Sequence, residues 1–291
     1  MLAAAAVAAE GCSGKSNNSD GGPADLMTAD LPETGGIQGT CSPVMPLPGP
    51  VMARVSWGGG PAYCIDSTEV TNAQYQQFLA AAAPPAPNVR CAWNTSLAPA
   101  STGPGCTAFD PVGHPDLPVV CVDWCDADAY CRWAGKYLCG VADRDGVHGG
   151  KVTNPTSKME GSQWIVACSN DGTLTYPYGN EGAAGRCADK KFPSATSGVQ
   201  PVKSATTCEG GVPGLFDMAG NASEWQNNCV DSAASADGQE DACDTYGGAR
   251  SSEYVDTSCL AATSPTDTTA HFKRAQVAPD NGFRCCANAD F

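Results

Sequence analysis

Seventeen cysteines, spread along the whole 291-residue chain, constrain this protein more than any other feature. Cysteine at that density belongs to oxidising compartments, where the thiols become cross-links. Zinc is the rival use of so much sulfur, and it fails on spacing. No CxxC pair occurs, and His114, His148 and His271 stand apart from one another. The expectation is a domain tied together by disulfides outside the cytosol.

The backbone composition agrees with that expectation. Glycine (33) and proline (22) make up about a fifth of the chain, well above ordinary usage, so helices and strands should be short and loops many. The apolar content of 42% still supports a core. Sixteen lysines and arginines against 31 aspartates and glutamates leave a net charge of −15. That charge excludes nucleic acid as a partner, because phosphates require a basic face. It equally excludes adsorption to an anionic membrane surface.

The chain opens MLAAAAVAAEGC. A run of small apolar residues leading to Gly11-Cys12 resembles the end of a bacterial lipoprotein signal, with Cys12 as the lipidated residue. It departs from that pattern in lacking a basic residue before the apolar run and in carrying Glu10. An ordinary cleaved secretion signal is the alternative. Without Cys12, sixteen cysteines remain, which could form eight pairs. Residues 1–12 are thus read as a signal segment, 13–50 as a flexible tether and 51–291 as one domain. No later stretch has the length of a transmembrane helix. The expected location is the bacterial cell envelope, lipid-anchored, or the outside of the cell.

Within 51–291, Ala62 to Asp66 reads as a strand. Thr71-Asn72-Ala73-Gln74 has the form of a capping box. Tyr75, Phe78, Leu79 and Ala82 follow at helical spacing, and Pro84-Pro85 ends the helix. Asp123 to Asp126 opens a second helix in the same way, with Gly135 suited to its C-terminal cap. Ser157 to Glu160 is expected to start a third, which carries Trp164 and Cys168. Turns are expected at Pro177 to Asn180, Gly210-Gly211, Gly247-Gly248 and Asn281-Gly282.

In order along the chain stand Cys64-Ile-Asp-Ser-Thr-Glu-Val-Thr-Asn-Ala-Gln-Tyr75, Pro118-Val-Val-Cys-Val-Asp-Trp124 with Ala129-Tyr-Cys-Arg-Trp-Ala-Gly-Lys136, Tyr176-Pro-Tyr-Gly179, Gly214-Leu-Phe-Asp-Met-Ala-Gly-Asn-Ala-Ser-Glu-Trp225, and Gly247-Gly248 with Gly282-Phe-Arg-Cys285. This series resembles the motif series of the formylglycine-generating enzyme family, also called the sulfatase-modifying factor domain. The resemblance covers roughly residues 51–286 and implies a loop-rich, C-type-lectin-like α+β fold.

The family's catalyst is a pair of cysteines with four residues between them, just after the Gly-Gly turn. Thiolates there bind Cu(I), a soft ion that prefers sulfur, and oxygen then converts a substrate cysteine to formylglycine. Ser252 and Thr257 stand at those two positions here. Hydroxyls are poor copper ligands, so the resemblance implies a member without the formylglycine chemistry and without copper. The family's disulfide positions imply Cys131–Cys285 and Cys168–Cys259, long loops whose closure favours folding by roughly 3–5 kcal/mol in the chain-entropy model. Local nearness suggests Cys91–Cys106, Cys125–Cys139, Cys187–Cys208 and Cys229–Cys243, leaving Cys41, Cys64, Cys121 and Cys286 unassigned. Vicinal Cys285-Cys286 is read as two separate structural bridges in preference to a redox pair.

The resemblance also implies a calcium loop. Asp217 and Glu224 would supply carboxylate oxygens, and Gly220 and Ala222 backbone oxygens, the hard ligands calcium takes. The second calcium site of the family is not kept, since Ala188 stands where the pattern prefers Asn. Asp237, Glu240 and Asp241 read as a solvated loop tip. The six tryptophans read as core or cleft walls, with Trp93 the one to check for exposure.

Three functional readings follow. The first is a monomeric, non-catalytic binding module for a protein, peptide or glycan ligand in the family's substrate groove. The second is an oxygen-dependent oxidoreductase acting on a protein or peptide thiol through a different site. The third is a purely structural envelope protein.

Overall fold

The computed structural model describes residues 41, 47–58, 60–142, 148–150, 162–194, 198–230, 237–248, 257–259 and 272–289. Cys12, the signal segment and most of the 13–50 tether lie outside them. The strands are β1 (Met52–Val55), β2 (Tyr63–Asp66), β3 (Tyr137–Leu138), β4 (Val141–Ala142), β5 (His148–Gly150), β6 (Ser223–Val230), β7 (Ala242–Tyr246), β8 (Phe272–Lys273), β9 (Asn281–Gly282) and β10 (Cys285–Asn288). The helices are α1 (Asn72–Leu79), α2 (Trp124–Trp133) and α3 (Gln163–Ser169). This is a mixed α+β, loop-rich domain.

One sheet runs β1-β2-β10-β3 and is antiparallel throughout, so the last strand of the chain is paired between early ones. A second runs β8-β7-β6-β9, with β6 and β9 parallel. β4 and β5 form a short ladder of their own.

Both capping boxes form. The Thr71 hydroxyl accepts from Gln74 N while Gln74 Oε1 accepts from Thr71 N. Asp123 and Asp126 exchange the same two bonds at the start of α2. Gly135 follows α2 at φ +71°, a conformation that costs glycine little. Helices α1 and α2 meet through aromatic rings. Tyr75 stacks on Tyr130 with centroids 5.5 Å apart, and Phe78 and Phe283 meet Tyr130 edge-on. Trp124, Trp225 and Val119 complete this core, and Trp164, Ile65, Leu215, Met218 and Tyr246 build a second.

Two expectations change. Helix α3 starts at Gln163, where the Ser162 hydroxyl accepts from Ile165 N; Ser157 to Glu160 lies outside the described residues. Asn281-Gly282 is not a turn but strand β9. Glycine is needed there because a Cβ would sit 2.6 Å from the Val119 carbonyl oxygen.

Every cysteine from Cys41 onward is bridged: 41–64, 91–125, 106–121, 131–285, 139–286, 168–259, 187–208 and 229–243. Two local pairings are therefore corrected. Cys91 joins Cys125 rather than Cys106, because both face the α1–α2 core. Cys139 joins Cys286 rather than Cys125, because β3 and β10 are neighbours in the sheet. Adjacent strand residues point to opposite faces. Cys285 accordingly reaches Cys131 in the first core, and Cys286 reaches Cys139 in the second. Within the stretch read as a tether, Cys41 is fastened to Cys64, and the Pro50 carbonyl accepts from Lys136 Nζ. Among the described residues no helix is long and apolar enough to cross a membrane.

Candidate functional site

The segment Gly214 to Glu224 coils tightly before entering β6. Asp217, Gly220 and Asn221 all take left-handed backbone, at φ +56°, +77° and +62°. Leu215, Met218, Ala219 and Ala222 are buried beneath it and hold it down. Gly220 N donates to the Gly247 carbonyl at 2.7 Å, and Asn221 N to the Ala188 carbonyl at 2.9 Å. The coil is thereby pinned to the Gly247-Gly248 turn.

Arg284, fully buried, is the hub of this region. Its Nε donates to Glu224 Oε2 and its Nη2 to Glu224 Oε1, both at 2.7 Å. The remaining donors reach the carbonyls of Asp66, Phe216 and Asp217. Trp164 Nε1 adds a bond to Glu224 Oε2 at 2.8 Å. Asp217 Oδ2 accepts from Lys203 N at 2.6 Å. The structure thus brings Asp217 and Glu224 to one guanidinium, as neighbours in a single coil.

It also brings in Glu69, which the sequence reading did not single out. Glu69 Oε1 accepts from Ala222 N at 3.4 Å, and its Oε2 is buried without a partner. The segment around it, Asp66-Ser67-Thr68-Glu69-Val70-Thr71, is mostly polar and gave no local sign that this acid would be buried. Burial, and then the charge of Asp217, push the Glu69 carboxyl well up. Burial raises Asp217 to about 6, against the pull of the Lys203 N–H and of Arg284. Burial works against the Arg284 charge, but Glu224, Glu69 and Asp217 outweigh it and hold the guanidinium above its usual value. Three buried carboxylates face one buried guanidinium, an excess of two negative charges when all are ionised.

A hard divalent cation fits that excess, the oxygen-only donor set and the orphaned Glu69 oxygen. Glu224 has the least to offer it, since three N–H groups already occupy its oxygens. Among the described residues no three His, Cys, Asp or Glu side chains converge at ligand distance. The expected set has only two acidic side chains, Asp217 and Glu224, completed by the Gly220 and Ala222 carbonyls.

The positions matching the family's cysteine pair lie beyond the Gly247-Gly248 turn. Ser252 is outside the described residues. Thr257 is buried, and Cys259 two residues on is bonded to Cys168, with its N–H given to the Thr175 carbonyl at 2.8 Å. With sixteen cysteines bridged, none supplies the thiol pair.

Other candidates resolve into structure. Asp241 is not a solvated loop acid: fully buried, it accepts from Arg90 Nε at 3.0 Å and Arg274 Nη2 at 3.1 Å, and Arg274 lies over the Trp124 ring. Glu240 does stay at the surface, paired with Lys273. Asp189 shapes its own turn by accepting from Gly185 N and Lys191 N. Trp93 is half-buried against the α1–α2 core and donates to the Arg90 carbonyl.

Comparison with known proteins places these features. No curated protein sequence matches the chain. Among solved structures, PvdO from Pseudomonas aeruginosa is 18% identical over 82% of this chain and 94% of that one, at a TM-score of 0.53, a likeness of fold. CarF (21% identity, 78% and 86% covered, TM-score 0.48) and Treponema denticola variable protein 1 (18%, 80% and 86%, TM-score 0.46) are more distant in shape and add nothing to the argument. The model of the sulfatase-modifying factor enzyme 1-like domain matches residues 54–289. The chain belongs to that family, as a divergent member without an intact catalytic cysteine pair.

Proposed function

We propose that this protein is an exported binding module of the family that does not oxidise cysteine to formylglycine. One observation carries the reading: every cysteine of the domain is committed to a disulfide, and the only cysteine near the matching positions, Cys259, is held by Cys168. A site without thiolates has no soft ligand for copper. What remains is a scaffold fastened by eight cross-links, and the family's substrate groove would be where it binds. Its occupant would be a protein, peptide or glycan, and the chain would act as a monomer. The chain would be anchored through a lipid on Cys12 or released. The C-type-lectin-like frame suits this use, and the pairing of β10 between β2 and β3 supports it.

Calcium belongs to the same reading as a structural ion held by Asp217, Glu224 and the Gly220 and Ala222 carbonyls, with Glu69 beside them. When bound it would neutralise the excess charge beneath the Gly247-Gly248 turn.

The test supplies the purified, oxidised domain with Cu(I), oxygen and a cysteine-containing peptide, and looks for the peptide aldehyde by mass spectrometry. The expected result is unmodified peptide, together with no titratable thiol in the folded domain. Aldehyde formation would overturn the proposal. Two reactive thiols in the folded state would instead favour an oxidoreductase working through another site.

A further inference from the structure

A cavity of about 390 Å³ opens elsewhere in the domain, walled by part of the stretch between Pro99 and Cys121 together with Asn72, Gly198, Val199 and Pro279. That size is in the range of small-molecule sites. Its lining is more apolar than polar, with Phe109, Leu117, Pro118, Val120, Val199 and Pro279 among its walls. The polar groups are few and lie together. Asp110 Oδ1 accepts from Gly113 N at 2.8 Å, His114 N returns a bond to the Asp110 carbonyl, and Asn72 Nδ2 donates to the His114 carbonyl.

The walls are built to stay apart. The Cys106–Cys121 bridge closes the loop that forms one side. Cys121 is held in left-handed backbone at φ +61°, rare for a residue with a side chain, by its N–H to the Ala278 carbonyl and by its own carbonyl accepting from Ala100 N. Beside them, Phe109 and Leu97 pack against the α1–α2 core and anchor the same stretch of chain. A loop fixed in this way holds the cavity's shape without a ligand, which lowers the ordering cost of binding.

Charge selects the ligand. Asp110 is the one formally charged side chain among the described lining residues, no lysine or arginine joins it, and the whole chain carries −15. We propose that this cavity binds a small organic cation, a protonated amine on a compact apolar body. The body sits against Phe109 and the prolines, and the ammonium group lies toward Asp110. The site shares no residue with the calcium coil and does not depend on the binding role proposed above.

Amide NMR titration of the full domain with three probes of one shape tests this: phenethylamine, 2-phenylethanol and phenylacetate. The expected result is saturable shifts at Phe109 and Cys121, with the amine binding most tightly and the acid most weakly. Asp110→Asn should weaken the amine about twofold to fivefold and leave the alcohol unchanged. Ala108→Trp, at an exposed wall position, should fill the mouth and abolish the shifts while the remaining spectrum stays in place. Removing the staple with Cys106→Ala/Cys121→Ala should weaken all three probes about tenfold. No saturable shift with any probe overturns the site. Phenylacetate binding as well as the amine overturns the charge assignment. Shifts that survive Ala108→Trp overturn the location.

Discussion

Two buried charge clusters adjoin Arg284, whose guanidinium donates to the Asp66 carbonyl and to the Glu224 carboxylate, and they differ in how far their acids are satisfied. In the first, Lys136 Nζ donates to Asp66 Oδ1 at 2.5 Å, Asp66 Oδ2 accepts from Cys285 N, and the Pro50 carbonyl takes a second ammonium donor. One acid meets one base, and both carboxylate oxygens are used. In the second, Glu224 takes two bonds from Arg284, Asp217 accepts from Lys203 N and lies in the field of both cations, Arg284 and Lys203, and Glu69 Oε2 has no partner. A closed pair at full burial is a structural strut. An open cluster with surplus charge is a place where something else is needed, whether a proton or a cation.

The comparison can be broken most forcefully at its two bases. Arg284→Met should lower stability by about 3–5 kcal/mol, because it strands Glu224 and frees three carbonyls in the core. Lys136→Met should cost a similar amount. A urea midpoint series reads both. The clusters then diverge on rescue. Adding Asp66→Asn to Lys136→Met should restore most of the loss, since Asn still accepts from Cys285 N and no charge is left behind. No single acid-to-amide change should rescue Arg284→Met, because two other carboxylates stay buried. Equal rescue at both sites would show that the surplus charge does not matter.

Calcium sharpens the same contrast at the next magnitude. Addition at a hundredfold excess over the dissociation constant should stabilise the wild-type domain by about 2.7 kcal/mol, visible as a raised thermal midpoint. Glu69→Gln and Asp217→Asn should each reduce that gain, whereas Asp66→Asn/Lys136→Met should leave it unchanged. A midpoint indifferent to calcium removes the ion from the proposed function and leaves protonation of Glu69 as the way the open cluster is neutralised.

The last effect concerns pH and lies outside both clusters, at the cap of α2. Burial raises the Asp123 carboxyl from 3.8 to about 6, against the opposing N–H bonds from Asp126 and Cys125. In the folded chain this group therefore takes up its proton at higher pH than in the unfolded chain. Its contribution is greatest below pH 4 and declines as pH rises through 4 to 6. Asp123→Asn keeps the cap and should flatten that part of a stability profile measured without calcium. If the slope persists in the variant, the titration belongs to another group.

How much of this was legible in the sequence depended on range. Both helix caps and the strand at Tyr63–Asp66 could be read because each rests on groups within a few residues of one another. The Asp217 to Glu224 segment was singled out by the family resemblance and not by local spacing. Cys91, Cys125 and Cys139 could not be paired by nearness, because their partners are chosen by which helix face and which strand lie alongside. Asp241 looked like a loop acid until Arg90, 151 residues away, and Arg274 were placed on it. Glu69 sits 153 residues from the Ala222 amide it accepts from, so no local pattern linked it to the coil.

By itself the sequence determined the oxidising chemistry of the sulfur, the order of the family motifs and the absence of a thiol pair after Gly247-Gly248. Those are properties of residue identity and short spacing, which survive in any conformation of the chain. Only the tertiary structure decided which cysteines share a bridge, which acids are buried and which of the two charge clusters is left incomplete. Burial and long-range contact set those outcomes, and neither exists until the strands and helices are packed.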